Sequence, residues 1–152
     1  MGVKDIISRI RWKSVILVLV LIIVVVLLFK SLPFQPKVRD NVGISLSADP
    51  DTIPPGGKST IDVEVTNLHS TDTLNMVVSV KTHDEKLVFS NNNMTIFQEV
   101  SVGPKETRKL KFNVRLLSGA LEGKYSIDAS AREKSSIVGV EDTIYLNVES
   151  ER

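Results

Sequence analysis

The sequence contains no cysteine, so disulfides, thiolate nucleophiles and cysteine metal sites are all excluded. A domain without disulfides must be stabilised by its hydrophobic core. Histidine is almost as scarce, because the chain has only His69 and His83, each in a polar stretch beside an aspartate. A catalytic base needs a nucleophile nearby and a group that orients it. We therefore predict no catalytic residue, no cofactor and no enzyme activity, and we expect both histidines to be solvated loop residues.

Features that bind phosphate or nucleic acid are lacking as well. Gly56 and Gly57 follow two prolines and precede a strand pattern, whereas the glycines of a phosphate loop precede a helix. Residues 31–152 carry fourteen Lys/Arg and seventeen Asp/Glu, so this part of the chain is net negative. A negative balance gives no long-range attraction to polyanions. We expect no nucleic-acid partner.

The chain does have one long apolar run. Residues 15–29 are fifteen consecutive apolar residues, and the flanking positions extend the run to about the 20 residues that span a bilayer. The run is far longer than a soluble strand of about 5–6 residues and contains no turn signal. It therefore predicts one transmembrane helix over residues 14–32, which makes the membrane itself the first expected partner.

The residues around this run predict its orientation. Residues 1–13 contain four Lys/Arg, with Trp12 at the headgroup level, and Pro33 and Pro36 end the helix. The alternative is a cleaved secretory signal, which has an apolar core of about 7–15 residues followed by small residues. Residues 29–33 read Phe-Lys-Ser-Leu-Pro and lack such a site. We predict an uncleaved anchor with a cytoplasmic basic segment 1–13 and the remaining chain outside the cell.

After a proline-containing linker over residues 33–42, the apolar residues alternate with a period of two. Seven or eight short runs of this kind, separated by turn residues, fill residues 43–149, and none of them is helical in spacing. This pattern predicts an immunoglobulin-like antiparallel β-sandwich. The expected core includes Ile61, Val63, Val65, Leu110, Phe112, Val114, Ile127 and Leu146.

Tyr125 lies at the start of the penultimate strand, where immunoglobulin-like sandwiches often use a tyrosine hydroxyl to hold a corner. The alternative is an edge tyrosine with a hydrated hydroxyl. The sequence leaves both readings open.

Three short stretches carry a family resemblance: residues 54–67, residues 102–114 and residues 122–127, each a turn followed by a strand. Together they resemble the archaeal and bacterial cell-surface immunoglobulin-like families, namely the NEW3 domain and the related CARDB adhesion-type domain. The acidic-Asn pattern of CARDB is missing from the last strand, which favours the NEW3-like side. The resemblance implies a noncatalytic surface module from an archaeal source. A single anchor followed directly by such a domain is also similar to stator subunits of the archaeal swimming filament.

Several residues are candidates for a site. Lys109, Lys111 and Arg115 share the outward face of one strand and could contact a polyanion or a partner, although a solvated sheet face explains them as well. Asn93 begins an Asn-Met-Thr triplet and is a candidate glycosylation site. Asp40, Asp49 and Asp51 could gather oxygen ligands for Ca²⁺. Their spacing does not follow an EF-hand loop, and aspartate is common in turns, so we predict no metal site.

These observations lead to two functional hypotheses. The first is a noncatalytic binding or scaffold module that contacts a protein or glycan outside the cell through a sheet face or edge. The second is an accessory subunit of a larger membrane machine, such as a filament stator. A strand edge left unprotected by charges would favour the second.

Overall fold

The computed structural model of the protein describes residues 37–39 and 41–150, and this part of the chain is all β. Two five-stranded sheets have the strand orders β1-β2-β4-β8-β6 and β3-β10-β9-β5-β7, here called sheet A and sheet B. The strands are β1 (Lys37–Arg39), β2 (Val42–Asp49), β3 (Thr52–Ile53), β4 (Lys58–Asn67), β5 (Leu74–Thr82), β6 (Leu87–Phe89), β7 (Thr95–Val102), β8 (Thr107–Leu116), β9 (Gly123–Glu133) and β10 (Val140–Val148). The predicted β-sandwich is confirmed. The predicted helix 14–32 and the segment 1–13 lie outside the described residues, which contain no helix able to cross a membrane.

The structure has more strands than the seven or eight predicted, because three strands are very short. β1, β3 and β6 contain three, two and three residues, too few to show an alternating pattern in the sequence. Each exists because a longer neighbour offers hydrogen-bonding groups: β1 pairs with β2, β3 with β10 and β6 with β8. β1 lies within the segment predicted to be a linker. Asp142 of β10 supports it, since its carboxylate lies 3.0 Å from Lys37 Nζ and accepts a hydrogen bond from the Leu46 N–H.

The core lies between the two sheets, and the period-two pattern accounts for it. In β4 and β8 the apolar residues point inward at every second position, while polar residues point outward. The rings of Phe89 and Phe112 meet edge to face with their centroids 6.4 Å apart. All eight core residues named from the sequence are buried: Ile61, Val63, Val65, Leu110, Phe112, Val114, Ile127 and Leu146.

One buried polar side chain, Asn67 at the end of β4, joins three parts of the fold. Its amide nitrogen donates hydrogen bonds to the carbonyl oxygens of Asp72 and Val102, at 2.7 and 2.9 Å. Its side-chain oxygen accepts a hydrogen bond from the His69 N–H. Because the group is fully buried, these bonds offset the cost of desolvating it. Asn67 thus holds the β4–β5 loop against the end of β7.

Tyr125 forms the tyrosine corner, which settles the choice that the sequence left open. Its side chain is buried with 8% of its surface exposed, and the hydroxyl donates a 2.8 Å hydrogen bond to the carbonyl oxygen of Leu121. The bond closes the loop that connects β8 to β9. Without this acceptor, the buried hydroxyl would lose its hydrogen bonds to water and gain none within the protein.

We predict that Tyr125→Phe lowers the free energy of unfolding by about 1 kcal/mol, because the ring stays in place while the hydroxyl bond is lost. Urea denaturation of the full-length chain would measure the change. Tyr145→Phe is the matched control, since Tyr145 is 59% exposed and its loss of a hydroxyl should have almost no effect. Equal stability of the wild type and Tyr125→Phe would show that the corner hydrogen bond makes no net contribution.

Candidate binding surfaces

The outer face of sheet A is organised by the pairing of β4 with β8. Glu64 lies opposite Lys109 and Asp62 opposite Lys111, so two successive outward positions carry opposite charges. Lys109 Nζ is 2.9 Å from Asp62 and 3.8 Å from Glu64. Lys111 is 4.0 Å from the second oxygen of Asp62, an atom that has no hydrogen-bond partner among the described residues. Two of the three lysine and arginine candidates are therefore engaged by acids on the neighbouring strand.

The electrostatics of Lys109 agree with this pairing. The hydrogen bond to Asp62 raises the pKa of Lys109, and the negative charges of Asp62 and Glu64 add to it against an opposing effect of desolvation. The charge of Lys109 is thus compensated locally. A ligand anion would have to compete with two carboxylates already on the same face.

Arg115, the third candidate, lies at the other end of β8 and has different neighbours. Its guanidinium donates a short hydrogen bond to the side-chain oxygen of Asn92, and Lys58 is the residue directly opposite on β4. The cluster of basic residues seen in the sequence is therefore divided. Arg115 borders a concave region of about 530 Å³, which we call the rim pocket. The rim pocket is lined by Asp49, Pro50, Lys58, Ser59, Thr60, Ser90, Asn113, Val114 and Arg115.

Sheet B ends in β7, an eight-residue edge strand that pairs with β5 along its whole length without a bulge. The carbonyl oxygen of Met94 accepts from Thr82, so by the alternation of an antiparallel ladder the backbone groups of Thr95, Phe97, Glu99 and Ser101 point away from β5. The Phe97 side chain lies on the outer face and is 70% exposed. The only charged residue of the strand, Glu99, is paired with Lys134 at 2.8 Å.

Each histidine lies near an aspartate, but only the partner of His69 is also close to it in the sequence. His69 Nδ1 is 3.6 Å from Asp72, three residues away. His83 Nε2 lies 2.5 Å from Asp128 on β9, not beside the adjacent Asp84. Burial acts against the charged form of Asp128, yet the hydrogen bonds from His83 and Thr143 and the electrostatic influence of His83 and Lys81 outweigh it and lower the pKa of Asp128.

The remaining sequence candidates lie apart from these groups. Asn93 is exposed in the turn before β7, and its triplet continues into that strand. Asp51 accepts a hydrogen bond from Thr52, and Asp49 lines the rim pocket, while Asp40 lies outside the described residues. Within residues 37–39 and 41–150 no three His, Asp or Glu side chains gather as metal ligands do.

No protein-family profile and no curated protein matches the chain. Solved structures are similar in fold. The CARDB domain of a Pyrococcus furiosus protein, determined with two metal ions, is 23% identical with a TM-score of 0.54, over 78% of this chain and 99% of that one. Escherichia coli alpha-2-macroglobulin is 19% identical with a TM-score of 0.59, over 74% of this chain and 7% of that protein. A FixG-related protein from Vibrio parahaemolyticus is 16% identical with a TM-score of 0.53, over 73% of this chain and 99% of that one.

These similarities show the fold of the chain, which is an immunoglobulin-like β-sandwich similar to that CARDB domain. The similarity to the Pyrococcus domain supports the expected resemblance in fold, and the preference for the NEW3-like side stays a prediction. An archaeal source and the membrane anchor stay predictions from the sequence.

Sequence reasoning missed two features of these surfaces. Lys58 and Asn113 both line the rim pocket, but they are 55 positions apart in the sequence. Each was interpreted only as part of a turn or a strand, and neither was predicted to belong to a site. The bond between His83 and Asp128 spans 45 residues. A correct alignment of β4 with β8 and of β5 with β9 would have revealed both.

We predict that Asp128→Asn weakens the acid dependence of stability. A carboxyl whose pKa is lowered by folding contributes stability above its unfolded pKa of about 3.9, and this contribution is lost as the pH falls through the folded pKa. Thermal unfolding between about pH 2 and pH 6 should show the wild type losing more melting temperature than Asp128→Asn. Asp84→Asn, which removes a nearby acid not bonded to His83, is the control. Parallel curves for wild type and Asp128→Asn would contradict the lowered pKa.

Proposed function

We propose that the chain is a membrane-anchored, noncatalytic binding or scaffold module whose β-sandwich lies outside the cell and contacts a surface protein or glycan. The observation that carries this proposal is the open edge of β7. Its outward N–H and C=O groups form a ready template for an added strand.

β7 differs from the other sheet edges of the described part. The edges formed by β1, β3 and β6 are two or three residues long, which is a common way of preventing strand addition. Three longer strands extend beyond these short ones. β8 carries three basic residues in its stretch beyond β6, β10 carries Glu141 and Asp142 beyond β3, and β2 bonds the Leu46 N–H to Asp142 beyond β1. β7 has eight residues, no proline, no lysine and no bulge, together with the exposed ring of Phe97. Such an edge is suited to pairing with a protein strand.

The membrane part of the proposal rests on the sequence. A run of fifteen apolar residues behind a basic segment is suited to a single span with the N-terminus inside. Charge alone favours this orientation only weakly, because Lys30, Lys37 and Arg39 follow the run. Long folded regions after a first span are translocated largely regardless of their charge. Both arguments support an outer sandwich.

We predict that protease added to intact cells removes residues 43–149 and leaves an N-terminal tag intact. Immunoblots against tags at both ends would measure this. The control is the same treatment after membrane lysis, when the N-terminal tag should also be lost. A sandwich that resists protease in intact cells but is cut after lysis would overturn the extracellular location.

An edge left unprotected by charges is the feature expected for a second candidate, an accessory subunit of a larger membrane machine. The open edge of β7 supports that candidate at least as strongly as the first. A subunit held permanently in an assembly has a partner for its edge, so the edge needs no lysine or proline to protect it. In this alternative the predicted helix 14–32 packs against helices of the other subunits. Mass spectrometry of proteins that co-purify from detergent-solubilised membranes would separate a stoichiometric complex from a transient surface partner.

We predict that Phe97→Lys abolishes the co-purification, because a lysine on an edge strand opposes strand addition and the aromatic contact is lost. The matched control is Tyr145→Lys, which places the same charge at an exposed aromatic position of a different strand of the same sheet, β10. Loss with Phe97→Lys and retention with Tyr145→Lys is the expected result. Equal retention by both variants would show that partners do not use the β7 edge.

A further inference from the structure

The outer face of the β4–β8 pair is complementary at every position except one. Glu64 opposes Lys109 and Asp62 opposes Lys111, while Thr66 and Thr60 form hydrogen bonds of 2.8 and 3.1 Å with their opposite residues, Thr107 and Asn113. The last pair consists of two cations, Lys58 opposite Arg115. Like charges directly opposite each other destabilise a sheet. The other four outward pairs of β4 and β8 avoid this loss of stability, and only the pair of Lys58 and Arg115 has it.

This like-charge pair borders the rim pocket, whose lining leaves donors and acceptors unused. Lys58 has no hydrogen-bond or ion-pair partner in the described part, and Arg115 uses its guanidinium only on Asn92. Asn113 accepts from Thr60 through its side-chain oxygen, which leaves both of its amide hydrogens available. The Ser90 hydroxyl donates to the Asn113 carbonyl oxygen and keeps its own lone pairs. Two cations and an amide therefore converge on a polar concavity.

The pocket also contains a negative group. Asp49 lines it from the end of β2, where its carboxylate is exposed and has no partner among the described residues. A carboxylate would repel a simple anion, but it accepts hydrogen bonds from hydroxyl groups. The lining can therefore bind one acid group of a ligand through its cations and several hydroxyl groups of the same ligand through its hydrogen-bond acceptors.

We propose that the rim pocket binds an acidic carbohydrate, with a uronate carboxylate placed between Lys58 and Arg115 and sugar hydroxyls on Asp49, Asn113 and Ser90. The lining contains no aromatic ring on which a neutral sugar could stack, so charge must supply the affinity. An acidic peptide fits less well, because its carboxylates would meet Asp49 without the hydroxyls that Asp49 can bind. The pocket lies on the face of sheet A and is separate from the β7 edge of sheet B.

Binding can be tested with the full-length chain in detergent micelles, using a hexamer of α-1,4-linked galacturonate as the probe and isothermal titration calorimetry. We expect saturable binding that weakens as the salt concentration rises. Maltohexaose tests for neutral sugars and hexaglutamate for acidic peptides, and both should bind at least about tenfold more weakly. Equal affinity for either, or no galacturonate binding at millimolar concentration, would overturn the proposal.

The variant Lys58→Glu gives two readouts of opposite sign. It should weaken galacturonate binding by about tenfold or more, since a charge-assisted contact is replaced by repulsion. It should also raise the melting temperature by about 1–4 °C, since the like-charge pair becomes a complementary pair. If Lys58 served only to stabilise the fold, its replacement would not increase stability and weaken binding at the same time.

The control is Lys124→Glu, which makes the same charge change at an exposed position of β9 in sheet B. It should leave the affinity within about twofold of wild type, because it changes only the net charge. Lys58→Gln provides a second test without introduced repulsion. Unchanged affinity in Lys58→Glu and Lys58→Gln, or equal losses in Lys58→Glu and Lys124→Glu, would contradict the site. Because none of these measurements involves a protein partner or a membrane location, the proposal can fail without the proposed function failing, and the reverse.

Discussion

The structure depends above all on the pairing of β4 with β8, two strands that lie about fifty residues apart in the sequence. Nine residue pairs align, from Lys58 with Arg115 to Thr66 with Thr107. A shift of one residue would turn Ile61, Val63 and Val65 toward the solvent, so burial of these side chains fixes the alignment. The same alignment determines the outer face, because inward and outward positions alternate.

This single alignment explains why the basic residues of β8 do not form one site. Lys109 and Lys111 lie opposite acids and are compensated, whereas Arg115 lies opposite Lys58 beside a polar concavity. A surface that looks uniformly basic along one strand is therefore neutral in its middle and positive at one end. Exposed ion pairs of this kind add little to stability.

The edges of the sandwich are unequal, and this bears on how the domain is used. Three edges end in strands of two or three residues, while β7 leaves eight residues open with an exposed phenylalanine. The candidate glycosylation site Asn93 lies two residues before the first residue of this strand, so a glycan there would lie near the start of the open edge. The edge and the rim pocket belong to different sheets, which allows a protein and a carbohydrate to be bound at separate places.

The fold class, the seven long strands and the inward positions could be predicted from the sequence, because alternation of apolar residues is a local pattern that burial on one face imposes. The sequence also indicated the tyrosine corner, though it could not choose between a bonded and a hydrated hydroxyl. The short strands β1 and β3 have no local signal of their own and follow from tertiary pairing, while the apolar run Leu87–Phe89 becomes the strand β6 because it pairs with β8. Only the tertiary structure decided the bond from His83 to Asp128 and the position of Lys58 opposite Arg115. These two contacts join residues 45 or more positions apart, so both follow from strand order and register rather than from any stretch of sequence.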